Sequence, residues 1–330
     1  MTIILAICAF SVFLPLVRCE DVERVVTRSG FTEGLYWDLA TMKLYYEDPY
    51  GNSLCTYNPS TLNNYCANLG KDYLPSFIVP VEKHPGQFVV GASNNIISIK
   101  WDGDSNITLA KNQIKVLASV EKNIKNNVIE CGAVDSSGKL WFGTANLMLA
   151  VNKSSVYTLD SNFKLETQIT PVTFSSGLVW NAKNDKLYFV DSLTNQVASY
   201  DYDAKQGTVV NRKVVFDLRQ HKISGTPEQL AIDDLGNLWV PISDSYQVIQ
   251  INPDSQSLLR TVKIPAKKVK AVTFGDDSLQ TLYVATVGYG YKDAAEKPPA
   301  DDQFGGSIFA VKDLDVKGLE IKRGFQVNTK

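Results

Sequence analysis

The chain has 330 residues with 33 basic and 35 acidic side chains, 44% hydrophobic residues, 5 cysteines and 2 histidines. That much apolar material supports a full core and excludes a disordered chain, a collagen-like repeat and a small disulfide scaffold. A formal charge of -2 supplies no basic field for nucleic acid, and His84 and His221 alone cannot build a zinc site of three imidazoles.

The amino terminus reads MTIILAICAFSVFLPLVRCE: a short polar start, an apolar run from Ile3 to Leu16, and a small residue at Cys19. This pattern predicts a secretory signal peptide over residues 1–19, cleaved after Cys19, ahead of one domain over 20–330 in a secreted protein. The run is short for a bilayer span and no later segment is longer, so no membrane partner is expected. Cleavage leaves Cys55, Cys66 and Cys131. Cys55 and Cys66 bracket a polar stretch with Asn58-Pro59-Ser60 as its turn, and a bridge across that hairpin is the economical pairing in an oxidising compartment. Cys131 is then a free or buried thiol. Sequons at Asn106 and Asn152 predict glycosylation, whereas Asn58 is excluded by its proline.

Long helical periodicity is absent beyond the leader. Short runs rich in Val, Ile, Tyr, Phe and Trp recur instead, separated by clusters of Asp, Asn, Gly, Lys and Ser. A strand, a polar turn and a second strand repeat six times: GLYWDLATMKLYYED from Gly34, FIVPVEKHPGQFVVGAS from Phe77, CGAVDSSGKLWFGTA from Cys131, GLVWNAKNDKLYFVDS from Gly177, QLAIDDLGNLWVPIS from Gln229 and AVTFGDDSLQTLYVATV from Ala271. Five of these are followed by a further strand, such as SLCTYN or QVIQINPD. The spacing approaches the ~40 to 50 residues of one four-stranded blade, which predicts an all-β, six-bladed β-propeller. A β-sandwich would have to explain why one hairpin design recurs to the chain end. The insertion YKDAAEKPPADDQFGG reads as a solvated loop.

A propeller gathers functional residues at one mouth of its central channel, where the loops entering the innermost strands converge. The residues just ahead of four of the units are Glu33, Glu130, Ser176 and Glu228. His84 reads as a surface turn residue, and His221 lies in the loop leading to Glu228.

The segments GFTEGLYWD, AVDSSGKLWFGT, SSGLVWNAKNDKLYFVDSLTNQVASYDYD, LAIDDLGNLWV and FGGSIFAVKDLDVKG resemble the regucalcin, gluconolactonase and luciferin-regenerating enzyme family, and the likeness extends from Phe31 to about Gly318. The resemblance implies one divalent cation at the mouth, held by a Glu, two Asn and an Asp, that polarises a sugar-type lactone for hydrolysis. The Glu is kept as Glu33 in its E-G-x-x-W setting; the two Asn fall on Glu130 and Ser176 and the Asp on Glu228. Val128 replaces an Arg near the substrate in vertebrate members, and Cys131 replaces an Asp.

Three carboxylates and a hydroxyl form an all-oxygen set suited to Ca²⁺, Mg²⁺ or Mn²⁺, with Zn²⁺ a further candidate for the single ion per chain. Without a cation the carboxylates repel, and at least one takes up a proton near neutral pH. The expected activity is therefore secreted, divalent-metal-dependent hydrolysis of a small-molecule lactone or ester by a monomer, with Glu33 and Glu228 as catalytic carboxyls. The competing expectation is a non-catalytic propeller that binds calcium or a small ligand at a degenerate site.

Overall fold

A computed structural model describes residues 20–27, 30–293, 295–320 and 324–328; the expected leader over residues 1–19 lies outside them. The strand-rich runs form six antiparallel sheets arranged as a six-bladed β-propeller, with the innermost strands lining a central channel. Blade 1 runs outward as Glu33–Asp38, Lys43–Asp48, Ser53–Asn58 and Asn63–Asn68. Blades 2 to 5 begin with Pro75–Pro80, Asn127–Val134, Ser175–Trp180 and the interrupted pair Thr226–Pro227 and Ala231–Ile232. Blade 6 begins with Lys268–Gly275.

The apolar residues of each blade meet those of the next. Among the described residues six buried clusters fall one to each blade-to-blade interface, from Tyr45, Leu54, Ile78 and Val90 between blades 1 and 2 to Trp37, Tyr46, Tyr283 and Ile308 between blades 6 and 1. A blade cannot bury both faces alone, so this packing is what makes six units one ring.

Two of the repeated hairpins share a buried carboxylate. Asp135 accepts the Ser137 and Lys139 amides at 2.8 and 3.1 Å and the Trp141 indole N–H at 2.9 Å. Asp233 does the same for the Leu235 and Asn237 amides at 3.1 and 2.8 Å and the Trp239 indole at 3.0 Å. The D-x-x-G-x-L-W motif thus closes its own turn and pins the tryptophan of the second strand.

Ring closure joins the two ends of the chain. Asp21–Val26 is the outermost strand of blade 6 and pairs antiparallel with Ile308–Lys312, which no local repeat signals. The segment after blade 6 then crosses the face opposite the mouth. Leu319 donates to Ile232 O at 3.0 Å, Phe325 to Pro80 O at 2.8 Å and Gln326 to Gly138 O at 2.9 Å, and Phe325 is fully buried.

Cys55 and Cys66 face each other across adjacent strands and are bridged. The stretch 102–130 runs in two parts. Its first part runs along blade 1, where Asp104 pairs with Lys43 of the second strand and Ile107–Thr108 adds a short parallel strand at the outer edge; only the residues after the strand Lys115–Ser119 approach the mouth. The described residues of the insertion lie on the mouth side, where Tyr291 packs on Phe31, and are tied down: buried Asp302 accepts the Tyr289 hydroxyl at 2.7 Å and the Lys267 amide at 3.0 Å.

Candidate functional site

Each blade offers one residue to the mouth from an irregularity in its first strand. Pairing slips between Pro75 and Phe77, Ile129 and Cys131, Ser175 and Gly177, and Val269 and Ala271, leaving Ser76, Glu130, Ser176 and Lys270 as the extra residues of β-bulges. In blade 1 the slip follows Glu33, and in blade 5 Glu228 lies in the interruption between the two short strands. A bulge turns its extra residue out of the alternation of the sheet, which is how strands of ordinary pleat bring Glu33, Glu130, Ser176, Glu228 and Lys270 to one point, whereas Ser76 donates to Gly91 O of its own blade at 3.3 Å.

At that point stands Lys270. Its Nζ donates to Glu130 Oε1 and Glu228 Oε2, both at 3.0 Å, and lies 3.7 Å from Glu33 Oε2. The four side chains are only 7% to 12% exposed. Ser176 Oγ donates to Glu228 Oε2 at 3.0 Å and contacts Ser192 Oγ, which in turn donates to Pro227 O at 2.7 Å. The structure therefore brings together all four residues singled out from the sequence and adds a fifth, the lysine.

Burial opposes the charge on Lys270, but Glu228, Glu130 and Glu33 together override it and hold the ammonium well above its ordinary range. Burial first, and then the Glu130 carboxylate, pushes Glu33 well above the usual carboxyl range against the pull of Lys270. Burial also raises Glu130, with Lys270 opposing. The mouth thus sets an amine held toward its charged form beside carboxyls that burial pushes toward their neutral form.

The same geometry tests the expected divalent metal. Ca²⁺ asks for about six to eight oxygens at about 2.3–2.6 Å. The point that bridges Glu130 and Glu228 is taken by the Lys270 nitrogen, and Ser176 is committed to Glu228 and Ser192. Among the described residues no group of three or more His, Cys, Asp or Glu is arranged to hold a metal ion. The set Glu33, Glu130, Ser176 and Glu228 does not fit a divalent cation while Lys270 is in place, because the ammonium occupies the point that bridges Glu130 and Glu228 and offsets part of the negative charge that would draw an ion there.

Behind Glu33 lies Glu47, its partner across the first two strands, fully buried, with neither carboxyl oxygen bonded to another residue. Its Oε2 fills the space that a Cβ on Gly34 would take, only 1.4 Å from that position; Gly34, with φ +62°, is the residue that admits it. Burial, and then the Glu33 charge, raises Glu47 well above the ordinary carboxyl range.

Around the opening stand half-buried rings. Phe31, Tyr50 and Tyr291 pack with centroids 4.7 to 5.5 Å apart, and the Phe174 ring centroid lies 5.3 Å from Lys270 Nζ. On the other side of the cluster the channel holds a cavity of about 150 Å³ lined by apolar side chains together with Ser76, Gln229 and Thr273, with Leu39, Leu279 and Leu319 at its far end. Cys131 is buried, and burial pushes its thiol up to about 12, which disfavours the thiolate. His221 is exposed and stacks on Phe216 at 4.0 Å, away from the cluster, and His84 lines a groove with Asp135 and Gln326 on the opposite face.

Because the folded Glu47 carboxyl is raised, folding favours its neutral form: that contribution is complete below the unfolded glutamate range and is lost as pH rises through the folded value. Glu47→Gln keeps the shape without the charge. Its thermal midpoint should exceed that of the wild type by a few degrees near pH ~8 and match it near pH ~4, where glutamate is largely neutral in either state. An equal effect at both pH values would mean that Glu47 carries no such strain.

A family model described as "SMP-30/Gluconolactonase/LRE-like region" matches residues 31–288. Regucalcin of Sus scrofa is 28% identical over 310 residues, covering 92% of this chain and 97% of its own. A solved luciferin-regenerating enzyme is 32% identical with a TM-score of 0.83, covering 94% of this chain and 100% of that one. A calcium-binding protein, regucalcin, from Agrobacterium tumefaciens shares the fold with a TM-score of 0.80 at 16% identity over 93% of this chain and 98% of its own. With its six blades and its ring of first-strand residues at the channel mouth, the chain belongs to the SMP-30, gluconolactonase and luciferin-regenerating enzyme family.

Proposed function

We propose that this chain is an exported hydrolase of small lactones or related esters that acts at the channel mouth. The observation that carries the reading is the cluster itself: a charged ammonium ringed by carboxyls, partly protonated by burial, at the base of an aromatic-walled opening. Membership in a family whose description names gluconolactonase supports the substrate class.

Two of the three ammonium protons are committed to Glu130 and Glu228, while Glu33 at 3.7 Å lies beyond a close hydrogen bond. The third N–H has only the long contact to Glu33, which a substrate carbonyl can replace. As water adds, the carbonyl oxygen gathers negative charge, and a nearby cation in a water-poor mouth stabilises it. Glu228 takes one proton from the attacking water as its oxygen bonds to the carbonyl carbon. The ring C–O bond then breaks, and the Glu33 carboxyl gives its proton to the departing oxygen. One water is added, a hydroxy acid leaves, and proton exchange between the two carboxyls restores the start. Phe31, Tyr50, Tyr291 and Phe174 supply apolar faces for the ring of the substrate.

A panel of sugar, aliphatic and aryl lactones and esters tests this. At least one should turn over, and Glu228→Gln and Lys270→Met, each verified as folded, should lower kcat/KM by about 100-fold or more, as for loss of a donor that stabilises an oxyanion. Absence of turnover across the panel would overturn the reading and leave the mouth as a binding site.

Export is supported by the apolar leader sequence, the Cys55–Cys66 bridge and the exposure of Asn106 and Asn152. Expressed in a eukaryotic secretory host, the full chain should reach the medium starting at Glu20 with glycans on both asparagines; retention in the cell with an intact amino terminus would contradict export.

A further inference from the structure

We infer that Lys270 is a built-in substitute for a divalent cation, so that this propeller works without metal and a metal site opens only when the lysine is removed. The inference deepens the hydrolase reading, since it names the charge at that same mouth, but it stands on geometry that needs no turnover to be tested.

Three features carry it. Lys270 is not a passing surface side chain: it is the bulged residue of its strand, it is 12% exposed, and it holds two carboxylates at 3.0 Å and a third at 3.7 Å from three other blades. Each of those carboxylates is likewise presented by a break in strand pairing, so the backbone of four blades is shaped around one cationic point. The charges match better with one ammonium than with none, because three buried carboxyls without a counter-charge repel and must neutralise by taking up protons. An ammonium also offers three directional donors where an ion would offer open coordination positions, so it satisfies acceptors it meets and excludes an ion from the same place.

Removing the amine should reverse this. In Lys270→Ala, Glu33, Glu130 and Glu228 face a vacated centre with only oxygen donors around it, the chemistry that Ca²⁺ and Mn²⁺ accept. Lys270→Asn adds an amide oxygen to the same set and serves if the alanine variant folds poorly.

The test uses the purified protein, treated with EDTA and dialysed, with Ca²⁺ or Mn²⁺ alone as the probe, read by thermal midpoint and by calorimetry. Millimolar metal should leave the wild-type midpoint unchanged and raise that of Lys270→Ala or Lys270→Asn by about 3 °C or more, with one ion bound per chain. A wild type that binds one ion as tightly as the variants would overturn the inference, and so would variants that fold yet ignore metal. If neither variant folds alone, recovery on refolding with metal supports the inference and failure to recover counts against it. Metal binding confined to the variants in a protein that hydrolyses nothing would sink the hydrolase reading alone. EDTA-resistant turnover with variants blind to metal would sink only this one.

Discussion

One ammonium among three carboxyls fixes the character of this propeller. A cluster of that charge is stable at a mouth that excludes most water only if its members are mutually compensated, and Lys270 supplies that compensation from inside the chain. The rest of the site follows from it. Glu228 is held by the amine and by Ser176, and Ser176 is steadied by Ser192 and the Pro227 carbonyl. Burial pushes the Glu33 carboxyl toward its neutral form against the pull of Lys270, and burial together with the Glu33 charge pushes Glu47 behind it the same way.

The fold contributes position. Six interfaces packed with apolar side chains make the ring rigid, and the closing strand from the amino terminus prevents blade 6 from opening. On that frame, bulges redirect single residues without disturbing the core beneath them. The segment that crosses the opposite face, pinned by the buried ring of Phe325, leaves the mouth with its aromatic walls as the polar end of the channel.

Much of this was legible in the sequence, and the parts that were not have physical reasons. Six recurrences of one hairpin disclosed the propeller because each blade must solve the same packing problem. The bridge between Cys55 and Cys66 was legible because both cysteines flank one short turn. Glu33, Glu130, Ser176 and Glu228 were found by their place immediately ahead of a repeat. The same place ahead of units two and six belongs to Ser76 and Lys270, and nothing in the basic run KKVK shows that its last lysine is buried among carboxyls. Glu47 was hidden at the end of KLYYED, where a polar residue reads as a strand terminus, and its burial depends on the missing side chain of Gly34. The closing strand, the outer path of 102–114 and the mouth aromatics belong to no repeat, so periodicity could not place them.

The central claim is that a lysine holds the place of a metal. The most direct measurement is a crystal structure of the wild-type protein grown or soaked with millimolar Mn²⁺, with data collected for anomalous scattering. The account predicts Lys270 Nζ between Glu130 and Glu228 with no anomalous peak there. A Mn²⁺ peak bound by Glu33, Glu130 and Glu228, with Lys270 turned away, would contradict it.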